Sequence, residues 1–351
     1  MRVLILGGLH VDQSLWSLVR GFEYLGAHVD YLPTFKRDPN PRKHRKVYSA
    51  AVEPKALRWL AEHQYDAVIW WGAKEANAPF VQALRASGVP VVSQSIDDPF
   101  VLDDGQCEHY RYFTMGVSCC GASIPWYSAR DVPAMVGFTP CDINRHGRAV
   151  PTLSEKCDIS IAATNLYDRS MWPTVWASRR EQLDAVADLG HAHIYGRWHR
   201  GWNGTGGYPT PQACPAEVRE HRSQERMAGC YAAARVNIGS TVRPDARLYI
   251  NRRVIECAAS GGFMLSDRVP GLPDVFLEDQ EMAYWSTLEE LRDKTRWWLA
   301  HEELRQRVAA AGRRKSLKLF NNKRLARLIM KNLHRLKIGK TRMFSVLDWG
   351  A

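Results

Sequence analysis

An arginine and a glutamate stand three residues apart in the stretch LYINRRVIECAASGGFMLSD, which runs from Leu248 to Asp267. The stretch predicts a short helix, a Gly-Gly break and a buried strand, and positions i and i+3 share a helix face. On that face Arg253 could bind a diphosphate with its fork of donors, and Glu256 could accept both hydroxyls of a diol. The alternative is an intrahelical ion pair worth about 0.2–0.5 kcal/mol.

The first half of the chain alternates short apolar strands with helices. Strands are predicted at residues 3–6, 28–32, 66–71 and 89–96, and helices at 14–25, 54–63 and 78–87. Such alternation requires right-handed crossovers and a mostly parallel sheet. We therefore expect a Rossmann-like α/β domain.

A second α/β half follows a segment rich in Asn, Gly and Pro at residues 142–152. Strands are predicted at 157–163, 193–195 and 236–239, and helices at 178–189 and 223–234. The Arg-Glu stretch adds one more helix and strand. Ligands of parallel sheets bind at the carboxyl ends of the strands, beside helix N-termini that favour phosphate. We expect two such halves with a cleft between them.

Composition and cysteine spacing exclude several classes of protein. The 351 residues are 45% hydrophobic and 24% charged, which is ordinary for a soluble globular protein. The eight cysteines form no C-x-x-C pair, and no apolar run reaches the roughly 20 residues of a membrane span. We expect a cytoplasmic monomer without disulfides or zinc. The first turn, GGLHVD from Gly7, lacks the third glycine of G-x-G-x-x-G, which argues against a nicotinamide-dependent dehydrogenase.

The Arg-Glu stretch lies in a longer pattern. NRRVIECAASGGFMLSDRVPGLPDVF resembles the N-x-R-x-x-E-x-x-A-x-G-G-x-x-L-x-D segment of GT-B glycosyltransferases related to the spore-maturation family, and the corresponding region of bacteriophage DNA β-glucosyltransferases. SIDDPF at 95–100, CDINRHG at 141–147 and SRREQLDAV at 178–186 resemble other parts of these enzymes. The resemblance implies a GT-B fold, with two Rossmann-like domains facing each other across a cleft and helices at the C-terminus.

The resemblance also implies that three parts of the chain have different roles. Residues 1–148 would form the acceptor-binding domain, 149–310 the nucleotide-sugar-binding domain, and 311–351 a basic helical tail. The co-substrate would be a UDP-sugar, with no tightly bound cofactor. No metal is expected, because the DD pairs at 97–98 and 103–104 do not have D-x-D spacing.

The implied donor site lies on the motif residues of the second domain. Glu256 would accept both ribose hydroxyls, and Arg253 would neutralise the diphosphate. Arg180 would be a second phosphate clamp, a role that Arg179 could take instead, although either could be a solvated helix cation. Asn251 opens the same motif and is a further implied donor-site residue. Gly196 lies at another strand exit of the second domain, in YGRWHRGWNG, where Trp198 or Trp202 could stack on the nucleobase or pack in the core.

An inverting transfer needs a carboxylate that takes the proton of the acceptor hydroxyl as the new bond forms. Asp97 and Asp98 follow the fourth predicted strand, so one of them is the candidate base, and the family turn favours Asp97. Alternatively, the pair caps the turn before Pro99. A retaining transfer needs no such base, so the sequence leaves the stereochemistry open.

The charge distribution indicates the acceptor. The net charge is +11, and the positive residues are clustered. Twelve Lys and Arg lie between Arg313 and Arg342 without any acidic residue, and six more lie between Lys36 and Lys46. Both clusters could be solvated surfaces, but clustered cations also bind phosphate backbones. We predict transfer of glucose from UDP-glucose to a 5-hydroxymethylated pyrimidine flipped out of duplex DNA, as by a phage-encoded enzyme in the host cytoplasm. The predicted DNA-binding residues are Arg42, Lys43, Arg45 and Lys46.

Two other functions fit the same sequence. One is a spore-maturation-type transferase that acts on a protein or a surface glycan, because basic lids also occur on enzymes of acidic glycans. The other is a non-enzymatic nucleic-acid-binding protein on a GT-B scaffold, with the tail as its working part. The presence of Arg253, Glu256, Arg180 and Asp97 argues against the second.

Overall fold

The computed structural model describes residues 1–8, 13–37, 46–49, 51–73, 76–98, 108–163, 178–199, 208–219 and 224–348. The chain forms two compact units: Met1–Pro140 together with Asn321–Ala351, and Cys141–Phe320. The domain bounds expected from the sequence, at 148 and 310, stay predictions.

The first unit is built on a parallel sheet. Its described strands are β1 (Arg2–Gly7), β2 (His28–Leu32), β3 (Phe35–Arg37), β4 (Lys46–Tyr48), β5 (Ala67–Trp71), β6 (Val91–Gln94), β7 (Met115–Ser118) and β8 (Ala134–Val136). Its described helices are α1 (Gln13–Glu23), α2 (Val52–Glu62), α3 (Ala78–Ala86), α4 (Ile124–Ser128) and α11 (Asn322–Lys337). The sheet order is β2-β1-β5-β6-β7-β8, and β3 pairs with β4 in a separate antiparallel hairpin. Fully buried runs such as AVIWW in β5 are typical of parallel strands covered on both faces.

The second unit repeats this architecture. Its described strands are β9 (Cys157–Ala162), β10 (Ala192–Tyr195), β11 (Glu217–Arg219), β12 (Ala234–Ile238), β13 (Met264–Asp267) and β14 (Ala283–Trp285). Its described helices are α5 (Arg179–Val186), α6 (Gln224–Ala233), α7 (Arg252–Ala259), α8 (Leu272–Val275), α9 (Leu288–Ala300) and α10 (Glu302–Leu319). The strands are parallel in the order β11-β10-β9-β12-β13-β14. The predicted α/β class with two parallel sheets is therefore confirmed.

Both sheets are wider than the sequence predicts. The strands β7, β8, β11 and β14 were not expected, since segments such as MGVS and AYW are only three or four residues long. A run this short has no measurable periodicity, and its pairing depends on neighbouring strands that are distant in sequence.

The basic tail contributes a core helix to the first unit. The apolar positions of α11 at helical spacing are buried, among them Leu325, Leu328 and Ile329. The helix approaches α1 closely: a Cβ on Gly21 would lie 2.4 Å from the Asn322 carbonyl oxygen. The Asn322 side chain also donates to the Ser17 carbonyl at 3.0 Å. The apolar face of the tail helix is therefore buried, while its Lys and Arg side chains are partly or fully exposed.

None of the helices in the described part of the chain is long and apolar enough to cross a lipid bilayer.

Replacing a buried side chain of α11 should destabilise the first unit. Ile329→Ala should lower the free energy of unfolding by about 2–5 kcal/mol, because it leaves a cavity in the packed interface with the core. The matched control, exposed Arg327→Ala on the same helix, should change it by less than about 0.5 kcal/mol. Urea denaturation followed by tryptophan fluorescence measures both, and equal small effects would contradict the docking of α11.

Candidate active site

A turn at the carboxyl edge of the second sheet is held by a buried carboxylate. Thr241 follows β12 and donates its backbone N–H and its hydroxyl to Asp267 Oδ2, at 2.7 and 2.6 Å. Asp267 ends the neighbouring strand β13 and is 3% exposed. Burial raises the pKa of Asp267, and the two donors from Thr241 oppose that shift. The turn through Ser240 is thereby fixed to the end of β13.

Helix α7 begins beside this turn. Asn251 caps it, with Oδ1 accepting from the amides of Arg253 and Val254 at 3.1 and 3.4 Å. Arg253 Nη2 donates to the Ser240 carbonyl at 2.9 Å, which anchors the partly exposed guanidinium. The Nδ2 atom of Asn251 is buried and has no hydrogen-bond partner among the residues that the structure describes.

One turn further along α7, the Glu256 side chain is 4% exposed. No salt bridge joins it to Arg253, so the intrahelical ion pair does not form. Within the described ranges, no residue donates a hydrogen bond to its carboxylate. Glu256 interacts electrostatically with His146 and Tyr231. Burial lowers the pKa of His146, and the negative charge of Glu256 works against this shift.

Helix α5 reaches the same turn from its other side. A capping box starts the helix: Ser178 Oγ accepts from the Glu181 amide at 3.1 Å, and Glu181 Oε2 accepts from the Ser178 amide at 2.6 Å. Gln182, on the next turn, donates to Ser240 Oγ at 3.1 Å. The starts of α5 and α7 are thus both tied to the segment after β12.

The two arginines at the start of α5 occupy different environments. Arg179 is 5% exposed, whereas Arg180 is exposed on the surface. The Arg180 guanidinium lies 4.5 Å from the Tyr208 ring centroid and 3.7 Å from an Asp184 oxygen. The choice between them as a phosphate clamp stays a prediction.

Gly196 follows β10 at the same edge of the sheet. Its φ of +138° is a conformation that favours glycine, and the residue is buried. The neighbouring Trp198 is fully buried, with its indole N–H donating to the Ala163 carbonyl at 2.5 Å. Trp198 is therefore a packing residue rather than an open stacking surface.

In the first unit, the adjacent aspartates after β6 differ sharply in burial. Asp98 is fully buried and accepts from the hydroxyls of Ser95, Ser118 and Tyr127 at 2.5, 2.6 and 3.1 Å. Burial raises the pKa of Asp98 despite these donors. Asp97 is exposed at the carboxyl end of the strand. Asp98 holds the turn, and Asp97 has the accessibility that a general base needs.

The basic cluster from Lys36 to Lys46 begins in β3 and ends in β4, the two strands of a hairpin that follows β2. Arg37 in β3 pairs with Lys46 in β4, so Lys46 stands at the end of the hairpin strand. The other three predicted DNA-binding residues, Arg42, Lys43 and Arg45, lie outside the described residues.

Several residues that lie beside the expected nucleotide-sugar site were not singled out from the sequence. Ser240, Thr241 and Asp267 carry the turn that both helices contact, and His146 and Tyr231 surround Glu256. The polar segment GST directly after the apolar strand β12 could have indicated the turn. Ligands of parallel sheets bind at the carboxyl ends of the strands, so polar residues there are candidates for binding. The segment CDINRHG, which holds His146, indicated only a linker.

Part of the second unit and part of the tail match a known family in sequence. Residues 178–331 match the family described as glycosyl transferase-like. This segment contains the capped starts of α5 and α7 and the residues Asn251, Arg253 and Glu256. No curated protein sequence matches the chain.

The fold matches solved structures over nearly the whole chain. A sucrose-phosphate synthase from Thermosynechococcus elongatus superposes with a TM-score of 0.66 at 13% identity, covering 97% of this chain and 100% of that one. HepE of Anabaena in complex with UDP-glucose gives 0.64 at 12% identity, covering 95% and 99%. A glycosyltransferase from Rickettsia africae gives 0.66 at 11% identity, covering 96% and 98%.

These matches confirm the predicted GT-B fold. Similarity at such low identity shows the fold alone, so the enzyme class depends also on the family segment. Together they confirm the predicted class, a glycosyltransferase. The narrower resemblance to spore-maturation and phage enzymes stays a prediction.

The two aspartates after β6 should respond differently to the same substitution. Asp97→Asn should reduce sugar transfer about 10²–10⁴-fold and leave stability unchanged, because an amide cannot take the acceptor proton. Asp98→Asn should lower the free energy of unfolding by about 1–3 kcal/mol, because buried hydroxyls lose an acceptor. Transfer rates and urea denaturation measured on both variants test this. Loss of stability in Asp97→Asn with none in Asp98→Asn would contradict the assignment.

Proposed function

We propose that this chain transfers a sugar, glucose in the first instance, from a UDP-sugar bound on the second unit to a hydroxyl acceptor. The observation that carries the proposal is the buried carboxylate of Glu256, which no described residue satisfies. It lies one turn after a capped helix start that bears the cation of Arg253.

Burial of a carboxylate restricts its access to water, and Glu256 has no described hydrogen-bond donor in exchange. Ligand O–H groups would supply the missing donors. The ribose of a nucleotide offers two adjacent hydroxyls, and a carboxylate can accept from both at once. Glu256 is proposed to hold the ribose in this way.

The diphosphate is proposed to lie at the start of α7. A helix N-terminus carries partial positive charge, and Arg253 adds a full charge with a preset orientation because Ser240 already holds one of its nitrogens. The buried Nδ2 of Asn251, without a described partner, supplies a further donor in the same place. Arg179 or Arg180 would add a second cation.

The proposed reaction needs no covalent enzyme intermediate when it inverts the anomeric centre. The acceptor oxygen forms a bond to the anomeric carbon, and the bond from that carbon to the UDP oxygen breaks. UDP leaves with the electron pair, and Arg253 and the α7 N-terminus stabilise its charge. The acceptor proton passes to Asp97. A retaining enzyme would dispense with this last step.

The choice of UDP-glucose is supported by HepE, whose structure is of a complex with UDP-glucose. The acceptor is proposed on charge alone. The sequence that joins β3 to the start of β4 contains four cations, Arg42, Lys43, Arg45 and Lys46, and duplex DNA with a 5-hydroxymethylated pyrimidine is the acceptor that this charge fits.

Removing the Glu256 carboxylate should abolish most nucleotide affinity. Glu256→Gln keeps the shape but loses charge-assisted hydrogen bonds worth about 1.5–3 kcal/mol each, so UDP should bind at least about tenfold more weakly. Arg253→Ala should weaken UDP but hardly affect uridine, which has no diphosphate. Exposed Glu303→Gln on α10 is the matched control. Calorimetric titration measures all three, and unchanged UDP binding in Glu256→Gln and Arg253→Ala would refute the donor site.

Neutralising the loop should weaken duplex DNA binding regardless of base sequence. Changing Arg42, Lys43, Arg45 and Lys46 to Gln should make the logarithmic salt dependence shallower by about 0.9 for each DNA phosphate that the loop no longer neutralises. The same change at Lys331, Arg335 and Lys337 is the control and should cost less. Lys331 and Arg335 already stack on Phe344, at 4.1 and 4.7 Å from its ring centroid.

Fluorescence anisotropy between about 50 and 200 mM salt measures these slopes, because counterion release dominates in that range. Incubation with UDP-glucose and hydroxymethylated DNA, read by nucleoside mass spectrometry, measures transfer. Absence of DNA binding at the low-salt end would reject the DNA acceptor and favour a protein or glycan. DNA binding without hydrolysis or transfer of any nucleotide sugar would favour the non-enzymatic alternative.

A further inference from the structure

A second cluster of potential ligands lies on the edge strand of the second sheet, apart from the donor site. His191 directly precedes β10, His193 lies within it, and Glu217 opens the neighbouring strand β11. One ligand atom from each of the three lies within 4.8 Å of the other two. None of these residues takes part in the proposed transfer.

The sequence places the three side chains together through strand geometry. Residues i and i+2 of an extended chain point to the same face, which brings His191 and His193 together. The parallel register sets Glu217 opposite His193. The rings of His191 and His193 lie 4.5 Å apart, edge to face.

Two of the three ligand separations match those found around one small cation. Glu217 Oε2 lies 3.3 Å from His191 Nε2 and 3.1 Å from His193 Nε2. Ligands about 2.0–2.1 Å from a tetrahedral zinc ion are separated from one another by about 3.3 Å. Two imidazole nitrogens and one carboxylate oxygen are a donor set that suits zinc and similar divalent ions.

The other nitrogen of His193 already has the surroundings of a metal ligand. His193 is fully buried, and its Nδ1 lies 3.4 Å from the Tyr195 hydroxyl and 3.9 Å from Glu155 Oε2. Tyr195 in turn donates to the same Glu155 oxygen at 2.9 Å. The Tyr195 hydroxyl thus links His193 Nδ1 to Glu155, and an outer-shell partner of this kind orients the ring and leaves Nε2 for the metal.

In the structure, the Arg219 guanidinium lies at this position. Arg219 Nη2 is 2.9 Å from Glu217 Oε2 and 3.4 Å from His193 Nε2, so the guanidinium uses the two atoms that a metal would use. The Arg219 side chain is 26% exposed, which gives it a route to solvent. The cluster therefore selects positive charge, and Arg219 competes for it.

We propose that His191, His193 and Glu217 bind one divalent transition-metal ion of the zinc type, with water as the fourth ligand and Arg219 displaced into solvent. The ion ties the edge strand β11 to β10. The site is independent of the proposed glycosyl transfer and plays no part in its chemistry.

Cobalt titration of the full-length chain tests the site, because four-coordinate Co²⁺ has intense visible bands that Zn²⁺ abolishes on displacing it. The wild type should bind one Co²⁺ with this spectrum. His191→Ala and Glu217→Gln should weaken binding more than about 100-fold, since loss of an outer-shell partner alone costs about 10–100-fold. Exposed His301→Ala is the control and should leave binding unchanged.

Arg219→Gln distinguishes a metal site from a cluster of structural hydrogen bonds. It should tighten Co²⁺ binding, because it removes the competing cation, and Zn²⁺ should raise the Tm of this variant more than that of the wild type. Weakened or unchanged Co²⁺ binding in Arg219→Gln would overturn the proposal. So would a Co²⁺ spectrum that persists in both His191→Ala and Glu217→Gln.

Discussion

The carboxylate of Asp267 holds the turn after β12, and the helices that carry the proposed donor-site residues are tied to that turn. Thr241 donates two hydrogen bonds to this carboxylate, which leaves the Ser240 carbonyl for Arg253 and the Ser240 hydroxyl for Gln182. The buried Asp267 side chain therefore positions the starts of α5 and α7 through this turn. A helix start held in this way needs little reorganisation when an anionic ligand arrives, which is what electrostatic stabilisation of a leaving diphosphate requires.

Two buried carboxylates show how the same chemical group can serve structure or binding. Asp98 receives three hydroxyl donors, so its charge is satisfied within the first unit and its role is to hold a turn. Glu256 is almost as deeply buried but receives no donor from any residue described in the second unit. Because buried polar groups are normally hydrogen-bonded, the unmatched acceptors of Glu256 are the basis for proposing that it binds a ligand, whereas Asp98 already has its partners.

The sequence predicted those features that depend on local spacing. The helix of α7, its Gly-Gly end and the shared face of Arg253 and Glu256 follow from a pattern of a few residues. The distinction between Asp97 and Asp98 does not, because it depends on hydroxyl donors as far as Ser118 and Tyr127 along the chain. The docking of α11 on α1 likewise depends on Gly21, near the other end of the chain, and only its apolar periodicity was visible. Tertiary contacts of this kind leave no trace in short windows of sequence.

The central claim, that Glu256 holds the ribose of the donor, is tested most directly by a crystal structure of the chain with UDP. Both ribose hydroxyls should lie within hydrogen-bond distance of the Glu256 carboxylate, about 2.6–3.2 Å, with the diphosphate against Arg253 and the first turn of α7. UDP bound away from the carboxyl edge of the second sheet would contradict it. So would a Glu256 carboxylate that points into the protein and accepts from a side chain instead of from the nucleotide.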